Sequence, residues 1–327
     1  MDSYGKEKTM RKAEKKRQFQ RTIGALLFCF AVLLLVRQPV LAAVPEDYIP
    51  VEIDGTDYTG MFSEEGGEDI YYFNVENSGR IILTATTEAG GVQYLLRTKM
   101  GMQILEFSSN EEEGTLEKTA TLNRGTYYLI IKSEAKRADS YSFRLTYLET
   151  PKFSSSKKQK SGIKLNWDAS MGAKGYQIYR KIDSQKWEKV KTTKKRTWTD
   201  TKATKQNTKY QYKIYAYNGK QKSEGSAALI LYDSAAPVLT DVKSNSVHTL
   251  TAYWKTVPKV TGYELWYRRE GEESWQKVDI PEKKKDLWTL FYVYEQKNYD
   301  VRIRSYKVIK EVTYYSKFSK TKRVKVQ

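Results

Sequence analysis

The sequence has very few of the residues on which most catalytic and metal sites depend. One cysteine and one histidine occur among 327 residues. Cysteine–histidine nucleophile pairs, histidine-based triads, thiolate zinc sites and a disulfide framework therefore lack the side chains that they require. His248 has no second histidine to act with, and we interpret it as a surface residue near the start of a strand. This composition favours a protein that is not an enzyme.

Long apolar runs are also scarce, and the one that stands out lies near the N-terminus. Residues 1–22 carry eight basic side chains against three acidic ones, and Ile23–Val36 is then apolar for 14 residues. A transmembrane helix needs ~20 apolar residues, whereas the apolar region of a signal peptide has ~7–15. Pro39 and the small residues after it predict cleavage after Ala42 or Ala43. We therefore expect residues 1–42 to be a signal peptide, with an uncleaved signal anchor as the alternative.

The cysteine count changes once this segment is removed. Cys29 lies inside the apolar run, so the mature chain contains no cysteine. An exported protein without disulfides has to hold its domains together by packing. A lysine-rich, cysteine-free exported chain is typical of Gram-positive bacterial surfaces. We expect a secreted or cell-surface protein that contacts the membrane only through its N-terminal segment, if that segment is retained.

Aromatic residues, in contrast, are plentiful, with 26 tyrosines and 7 tryptophans. No stretch after the signal shows sustained helical periodicity. Short alternating runs rich in tyrosine, isoleucine, valine and threonine are separated by turn-forming residues, as expected for β-strands. Examples are Asp69–Val75, Arg80–Thr87, Gly125–Lys132 and Ser140–Tyr147. The predicted fold is all-β, with three consecutive antiparallel β-sandwich domains after an N-terminal signal helix.

Charge divides the mature chain into two unlike parts. Residues 44–150 contain 19 acidic and 9 basic side chains, a net charge of −10. Residues 151–327 contain 39 basic and 17 acidic side chains, a net charge of +22, together with all seven tryptophans. Because the two parts differ so strongly, we predict that they are separate domains.

The basic part repeats itself with an offset of 86 to 89 residues. The matching landmarks are Pro151 with Pro237, Trp167 with Trp254, Gly175–Tyr179 with Gly262–Trp266, Trp187–Val190 with Trp275–Val278, and Tyr210–Ile214 with Tyr299–Ile303. This register predicts one domain over 151–236 and a second over 237–327. The landmarks resemble the fibronectin type III domain, which implies two seven-stranded sandwiches but no particular ligand.

The acidic part, 44–150, is similar to the bacterial pre-peptidase C-terminal domain. The similarity rests on a D-x-Y-x-F-x-V run at Asp69–Val75, a strand led by Gly79 and a G-T-Y-Y-L-I-I run at Gly125–Ile131. That family is a β-sandwich often attached to secreted peptidases and carbohydrate-active enzymes. The three expected sandwiches occupy the whole mature chain, so no catalytic domain is expected beside them.

Tryptophan positions separate core residues from surface residues. Trp167 and Trp254 are expected to fill the two sandwich cores. The remaining tryptophans in short strands or turns are interpreted as lids packed on those cores: Trp187, Trp198, Trp275 and Trp288.

Alternation along the strands places a second set of aromatic and cationic residues on the outer faces. If Tyr176 and Tyr263 point inward, Gln177 and Glu264 point outward. The candidate ligand-binding residues on these faces are Tyr179, Tyr215 and Tyr217 in the first repeat and Trp266, Arg302, Arg304 and Tyr306 in the second. Such faces can stack on sugar rings or hold anionic groups. The alternative is cross-strand pairing that only stabilises the sheet.

The charged surfaces admit further interpretations. The lysine excess, as in Lys186–Arg196, would give electrostatic attachment to anionic polymers, or it would only keep the protein soluble. Export argues against nucleic acid as a partner.

The acidic residues of 44–150 offer oxygen ligands for calcium, yet no loop has EF-hand spacing, and a solvated acidic face is the main interpretation. No other cofactor is indicated.

These observations predict a non-catalytic secreted or cell-surface binding or adhesion protein. The basic pair of domains would engage an anionic wall polymer, a glycan or a surface protein. The alternative is an accessory module that targets a separately encoded secreted hydrolase to its substrate.

Overall fold

The structure is a computed structural model that describes residues 45, 47–62, 67–87, 91–109, 114–133 and 140–327. Every regular element among these residues is a β-strand, and all the strands lie in one compact unit, Ile49–Gln327. The predicted signal segment 1–42 and the cleavage positions Ala42 and Ala43 fall outside the described residues. Within the described part of the chain, no helix is long and apolar enough to cross a membrane.

Nine strands precede residue 150. They are β1 (Ile49–Pro50), β2 (Asp54–Met61), β3 (Glu68–Val75), β4 (Gly79–Thr87), β5 (Val92–Thr98), β6 (Gln103–Ser108), β7 (Gly114–Leu122), β8 (Gly125–Ser133) and β9 (Ser140–Glu149). They form two sheets, ordered β1-β3-β8-β5-β6 and β2-β9-β4-β7. Alternate residues such as Tyr71, Phe73 and Val75 are buried between the sheets. One pairing departs from the predicted antiparallel arrangement, because the short entry strand β1 runs parallel to β3.

The middle sandwich contains eight strands. They are β10 (Phe153–Gln159), β11 (Gly162–Trp167), β12 (Gly175–Ile182), β13 (Glu188–Thr193), β14 (Thr197–Asp200), β15 (Lys209–Asn218), β16 (Gln221–Lys222) and β17 (Leu229–Tyr232). One sheet has the order β10-β11-β14 and the other β13-β12-β15-β16, with β17 also paired to β15. Both sheets contribute to one buried core.

The C-terminal sandwich contains another eight strands. They are β18 (Val238–Lys243), β19 (Thr249–Lys255), β20 (Gly262–Arg269), β21 (Gln276–Ile280), β22 (Leu287–Phe291), β23 (Asn298–Ile309), β24 (Val312–Tyr315) and β25 (Lys322–Lys325). Its sheets, β18-β19-β22 and β21-β20-β23-β24 with β25 on β23, repeat the strand order of the middle sandwich. The sequence repeat is therefore a structural repeat. Trp167 and Trp254 occupy equivalent positions in the two cores and are 2% and 3% exposed, as predicted.

The middle sandwich also buries one ion pair that faces its core. Arg180 on β12 points inward, because it continues the alternation of Tyr176 and Ile178. Its guanidinium donates to both carboxylate oxygens of Asp200, at 3.1 and 3.0 Å, and Tyr212 donates to the same carboxylate at 2.8 Å. Burial and the charge of Asp200 raise the pKa of the Tyr212 hydroxyl. This network connects the two sheets of the sandwich through a polar contact.

Candidate functional site: an arginine–aromatic ladder

The outer face of the C-terminal sheet brings several of the predicted binding residues together. On the paired strands β20 and β23, Trp266 lies opposite Arg302, and Glu264 lies opposite Arg304. Tyr306 lies two positions further along, opposite Gly262. A Cβ atom on Gly262 would be 2.7 Å from the Tyr306 hydroxyl, so the absence of a side chain there leaves room for the tyrosine. Tyr306 is therefore at the end of the face, while Trp266, Arg302 and Arg304 form its centre.

Guanidinium groups and aromatic rings alternate across this centre. The Arg302 guanidinium carbon is 4.0 Å from the Trp275 ring centroid and 4.1 Å from the Phe318 centroid. The Arg304 guanidinium carbon is 5.0 Å from the Phe318 centroid and 3.9 Å from the Tyr315 centroid. We call these five residues, Trp275, Arg302, Phe318, Arg304 and Tyr315, the arginine–aromatic ladder. Stacking of this kind stabilises a cation by about 0.5–2 kcal/mol per contact, and more where water is excluded.

Trp266 borders the ladder. Its ring packs edge-on against Phe318, with the centroids 5.6 Å apart. It also lies 5.8 Å from the Arg302 guanidinium carbon and 5.5 Å from that of Arg304. Trp266 therefore contacts the ladder from the strand next to the two arginines.

Two buried carboxylates neutralise the arginines around Arg302. Glu264 accepts a hydrogen bond from Arg304 Nε at 2.6 Å. Asp300 accepts from Arg268 Nη2 at 3.3 Å and from Arg323 Nε at 2.8 Å. The hydrogen bonds from Arg323, opposed by burial, hold the pKa of Asp300 below its ordinary value. Both carboxylates therefore remain ionised at neutral pH.

Arg302 differs from these arginines. Within the described part of the chain it has no ion-pair partner, and its Nε atom is buried without a hydrogen-bond acceptor. Burial and the positive charges of Arg268 and Arg304 lower its pKa. An arginine stays protonated even so, because its ordinary pKa lies above ~12. Arg302 is thus a cation without a counterion, held between two rings.

Arg302 is partly exposed, and the stacking geometry leaves its Nη donors available, whereas its Nε is buried. Cation–π stacking occupies the two faces of the planar guanidinium, whereas its N–H groups point outward in the plane. Those N–H groups match the spacing of carboxylate and phosphate oxygens and bind them in pairs. The arrangement can therefore hold an anionic group edge-on, with aromatic surface on either side for the apolar part of a ligand.

The structure confirms one expectation about this face with an addition and corrects another. Glu264 points away from the sandwich core, as the alternation predicts, yet its side chain is only 2% exposed because Arg304, Lys277 and Trp266 cover it. Trp275 was expected to be a lid on the core, but it stacks on Arg302 at the outer face. It directly precedes the edge strand β21, which places its ring beside the outer surface of β20.

The middle sandwich carries a related arrangement at equivalent positions. Tyr179 lies opposite Lys213, as Trp266 lies opposite Arg302. The Lys213 Nζ atom is 5.4 Å from the Trp187 centroid, so Trp187, like Trp275, is on the outer face and is not a core lid. The other two proposed lids, Trp198 and Trp288, do pack against their cores.

A lysine completes the tyrosine group of the middle sandwich. Tyr179 and Tyr215 pack edge to face, with centroids 5.1 Å apart. The Lys222 Nζ atom lies 3.8 Å from the Tyr215 centroid and donates to the Tyr179 hydroxyl at 3.1 Å. Tyr217 is separate from them, because it lies over Gly175 at the end of the strand.

Several residues of these faces could not be recognised from the sequence. Phe318 follows β24 in a segment without alternation, and Tyr315 belongs to a short hairpin strand. Only the fold brings them next to Arg302 and Arg304. Trp187 and Trp275 did carry a signal, because they occupy the same landmark in both repeats just before an edge strand.

The remaining candidates are placed as follows. His248 has a side chain that is 57% exposed, in agreement with a surface position, and its Nδ1 lies 3.0 Å from the Val293 carbonyl oxygen. Among the described residues no group of three or more histidine, cysteine, aspartate or glutamate side chains could hold a metal ion. Asp57, one of the acidic residues considered for calcium, pairs with Arg144 at 2.7 Å. Glu64 and Glu65 lie outside the described residues.

Comparison with known proteins yields structural similarity only. No family model matches the sequence, and no curated protein aligns with it significantly. A two-domain fibronectin type III segment of chicken tenascin covers 55% of this chain and 99% of its own length, at 15% identity and a TM-score of 0.35. The match to the FN1–FN3 domains of chicken CNTN1 covers 82% of this chain and 100% of that structure, at 17% identity and a TM-score of 0.30. The match to the pre-peptidase C-terminal domain of a Bacillus anthracis collagenase covers 32% of this chain and 99% of that structure, at 20% identity and a TM-score of 0.28. These similarities concern β-sandwich domains, and they name no partner for this chain.

Proposed function

We propose that this chain is a non-catalytic binding protein, secreted or held at the cell surface, whose two basic fibronectin-like sandwiches capture an anionic polymer. The observation that carries the proposal is Arg302, a cation stacked between Trp275 and Phe318 with no counterion among the described residues. A carboxylate or phosphate group on the ligand would supply the counterion. The net charge of +22 over 151–327 would draw such a polymer to the surface.

The ligand class follows from the chemistry of the ladder. A purely ionic partner would need only exposed lysines, which the domains have in abundance. The rings at Trp266, Trp275 and Phe318 add flat apolar surface beside the cation, which suits the C–H faces of a sugar or polyol that carries charged groups. An anionic wall polymer or acidic glycan fits this pairing of charge and ring better than a protein partner does.

A binding assay on purified Gram-positive cell walls tests the proposal. The protein is mixed with the walls across a series of salt concentrations, and the bound fraction is measured. Arg302→Gln is expected to weaken binding about tenfold at low salt, because it removes the Nη donor pair of an arginine that has no carboxylate partner among the described residues. Trp266→Ala should weaken binding at every salt concentration, since ring contacts are not screened by ions.

Arg323→Gln is the matched control. It removes the same charge from the same face, but Arg323 is already paired with Asp300. If both arginine variants lose affinity equally, net charge alone explains binding. If the unsubstituted protein fails to bind walls even at low salt, the proposed ligand class is wrong.

A further inference from the structure

Two cavities lie beside the junction between the middle and C-terminal sandwiches. One of about 560 Å³ is lined by residues of both sandwiches, and one of about 550 Å³ is lined by the C-terminal sandwich alone. Lys259 and Lys307 line both of them, so the two cavities adjoin. We call the pair together the junction groove. It runs from β15 and β17 of the middle sandwich to the loops and the β23 strand of the C-terminal one. It is a different place from the ladder and shares no residue with it.

The lining of the junction groove is strongly basic. Its lysines are Lys209, Lys259, Lys283, Lys284 and Lys307. Its single carboxylate is Asp183, which already pairs with Lys259 at 2.9 Å. Hydrogen bonding from Lys259, opposed by burial, holds the pKa of Asp183 below its ordinary value, so the pair is ionised at neutral pH. Four of the five lysine charges are therefore not balanced by any carboxylate of the lining.

The walls of the groove are fixed by contacts between the two sandwiches. The hairpin β23–β24 reaches the middle sandwich, where the Tyr314 hydroxyl donates to the Ile230 carbonyl at 3.1 Å. In the opposite direction, the Tyr232 hydroxyl donates to the Lys259 carbonyl at 3.1 Å. Burial raises the pKa of Tyr232 to about 12, so this donor keeps its proton at physiological pH. Four of the five groove lysines belong to the C-terminal sandwich, and these contacts place Lys209 of the middle sandwich beside them.

Both partners of the ion pair across the junction have a positive φ. Asp183 has φ of 49° and Lys259 has φ of 61°, in the left-handed region, which aspartate adopts more readily than lysine. Their side chains form the ion pair between the two sandwiches at the edge of the groove.

We propose that the junction groove binds a stretch of a linear polyanion whose repeated phosphate or carboxylate groups meet the lysines in turn. Lysine ammonium groups are flexible point charges and accept anions in many orientations, which suits a chain that slides along the groove. The groove floor also contains Val308, Ile309 and the Tyr232 ring, against which the uncharged parts of the polymer would lie. The proposal does not depend on the ladder, since the groove would bind the polymer even if Arg302 did not.

Calorimetric titration with defined probes tests the groove. Long-chain polyphosphate and polygalacturonate are titrated into the full mature protein, so that the phosphate and carboxylate sources are measured separately. The groove variant is Lys209→Gln with Lys307→Gln, two half-buried lysines from opposite sandwiches. We expect its affinity for at least one probe to fall about tenfold, and the slope of log affinity against log salt to decrease by about 2, one for each charge removed.

The matched control is Lys220→Gln with Lys297→Gln, which removes the same charge from exposed positions outside the groove, one in each sandwich. It should change the affinity less than twofold. An equal loss of affinity in both double variants would show that only net charge matters and would contradict the proposal that the groove binds the polymer. An unchanged affinity in the groove variant would overturn it as well.

The two sites can be separated by combining their variants. If Arg302→Gln has no effect but the groove variant loses affinity, the ladder proposal fails and the groove stands. If only Arg302→Gln loses affinity, the groove is wrong and the ladder stands. Circular dichroism melts of each variant confirm that the fold is retained.

Discussion

Replacing Glu264 by glutamine tests whether the buried carboxylate holds the ladder in place. Glu264 is 2% exposed and accepts hydrogen bonds from Arg304 Nε at 2.6 Å, Trp266 Nε1 at 3.1 Å and Lys277 Nζ at 3.2 Å. Glutamine keeps the size of the side chain but removes the charge. Its amide NH₂ group is a donor, and the partners around this position, Arg304, Trp266 and Lys277, also donate. The NH₂ group would therefore have no acceptor among them.

The expected cost follows from the exposure of each partner. The bond to Arg304, whose side chain is 22% exposed, contributes about 1.5–3 kcal/mol as a charge-assisted hydrogen bond. The bond to Lys277, whose side chain is 45% exposed, contributes little because water screens it. Since glutamine can still accept one hydrogen bond, we expect a total loss of about 2–3 kcal/mol. In a sandwich of about 90 residues, each 1 kcal/mol lowers Tm by roughly 4–8 °C.

The effect should depend on pH in one direction. Burial opposes ionisation of Glu264, but the hydrogen bonds from Arg304, Trp266 and Lys277 outweigh it and hold the pKa below its ordinary value. A carboxylate with a lowered pKa contributes stability above its unfolded pKa of about 4.3, and that stability is lost as pH falls through the folded pKa. The difference between the original protein and Glu264→Gln is therefore largest near neutral pH and becomes smaller below about pH 4.

Scanning calorimetry at pH 7 and pH 3.5 measures the change. Glu273→Gln is the control, because Glu273 is an exposed glutamate of the same sandwich, between β20 and β21. The transition of the C-terminal sandwich should move to lower temperature in Glu264→Gln alone. If the two variants melt alike at pH 7, or if their difference increases at pH 3.5, the buried carboxylate does not have the role described.

Three further predictions concern the sandwiches and their joints. Asp200→Asn should destabilise the middle sandwich by about 3–5 kcal/mol in urea unfolding, because it leaves the buried cation of Arg180 with only the exposed Glu188 carboxylate, 3.7 Å away. Glu224→Gln should loosen the contact between the first and middle sandwiches, since Glu224 accepts from Arg80 at 2.8 Å and that bond lowers its pKa. The original protein should show the same loosening as pH falls through this lowered pKa, and small-angle scattering would detect it as an increased maximum dimension. Gly262→Ala should destabilise the C-terminal sandwich in thermal melts, because its Cβ would lie 2.4 Å from a backbone oxygen, whereas Gly125→Ala meets no atom closer than 3.7 Å.

The sequence by itself determined the fold class and the repeat. Alternation of apolar and polar residues decides which side of a strand is buried, and this local rule placed Trp167, Tyr176 and Ile178 in the core. The same rule put Tyr179, Trp266, Arg302 and other candidates on the outer faces. The equal spacing of landmarks in 151–236 and 237–327 was enough to predict two sandwiches of one kind.

Tertiary structure decided which outward residues meet. Phe318 and Tyr315 reach Arg302 and Arg304 because β24 and the segment after it run beside β23, where the Ser316 and Ser319 N–H groups bond to β23 carbonyls, and no local pattern specifies this pairing. Burial of Glu264 has the same origin, because Arg304 and Lys277, which cover it together with Trp266, come from neighbouring strands.

The junction groove likewise could not be predicted from the sequence. Its lysines are scattered from Lys209 to Lys307, and in a chain this rich in lysine no single one of them is distinctive. Four of them come together in the C-terminal sandwich, and Lys209 joins them where Tyr314 and Tyr232 connect the two sandwiches. Patterns along a strand are set by its own residues, whereas a site shared by two domains is set by the packing between them.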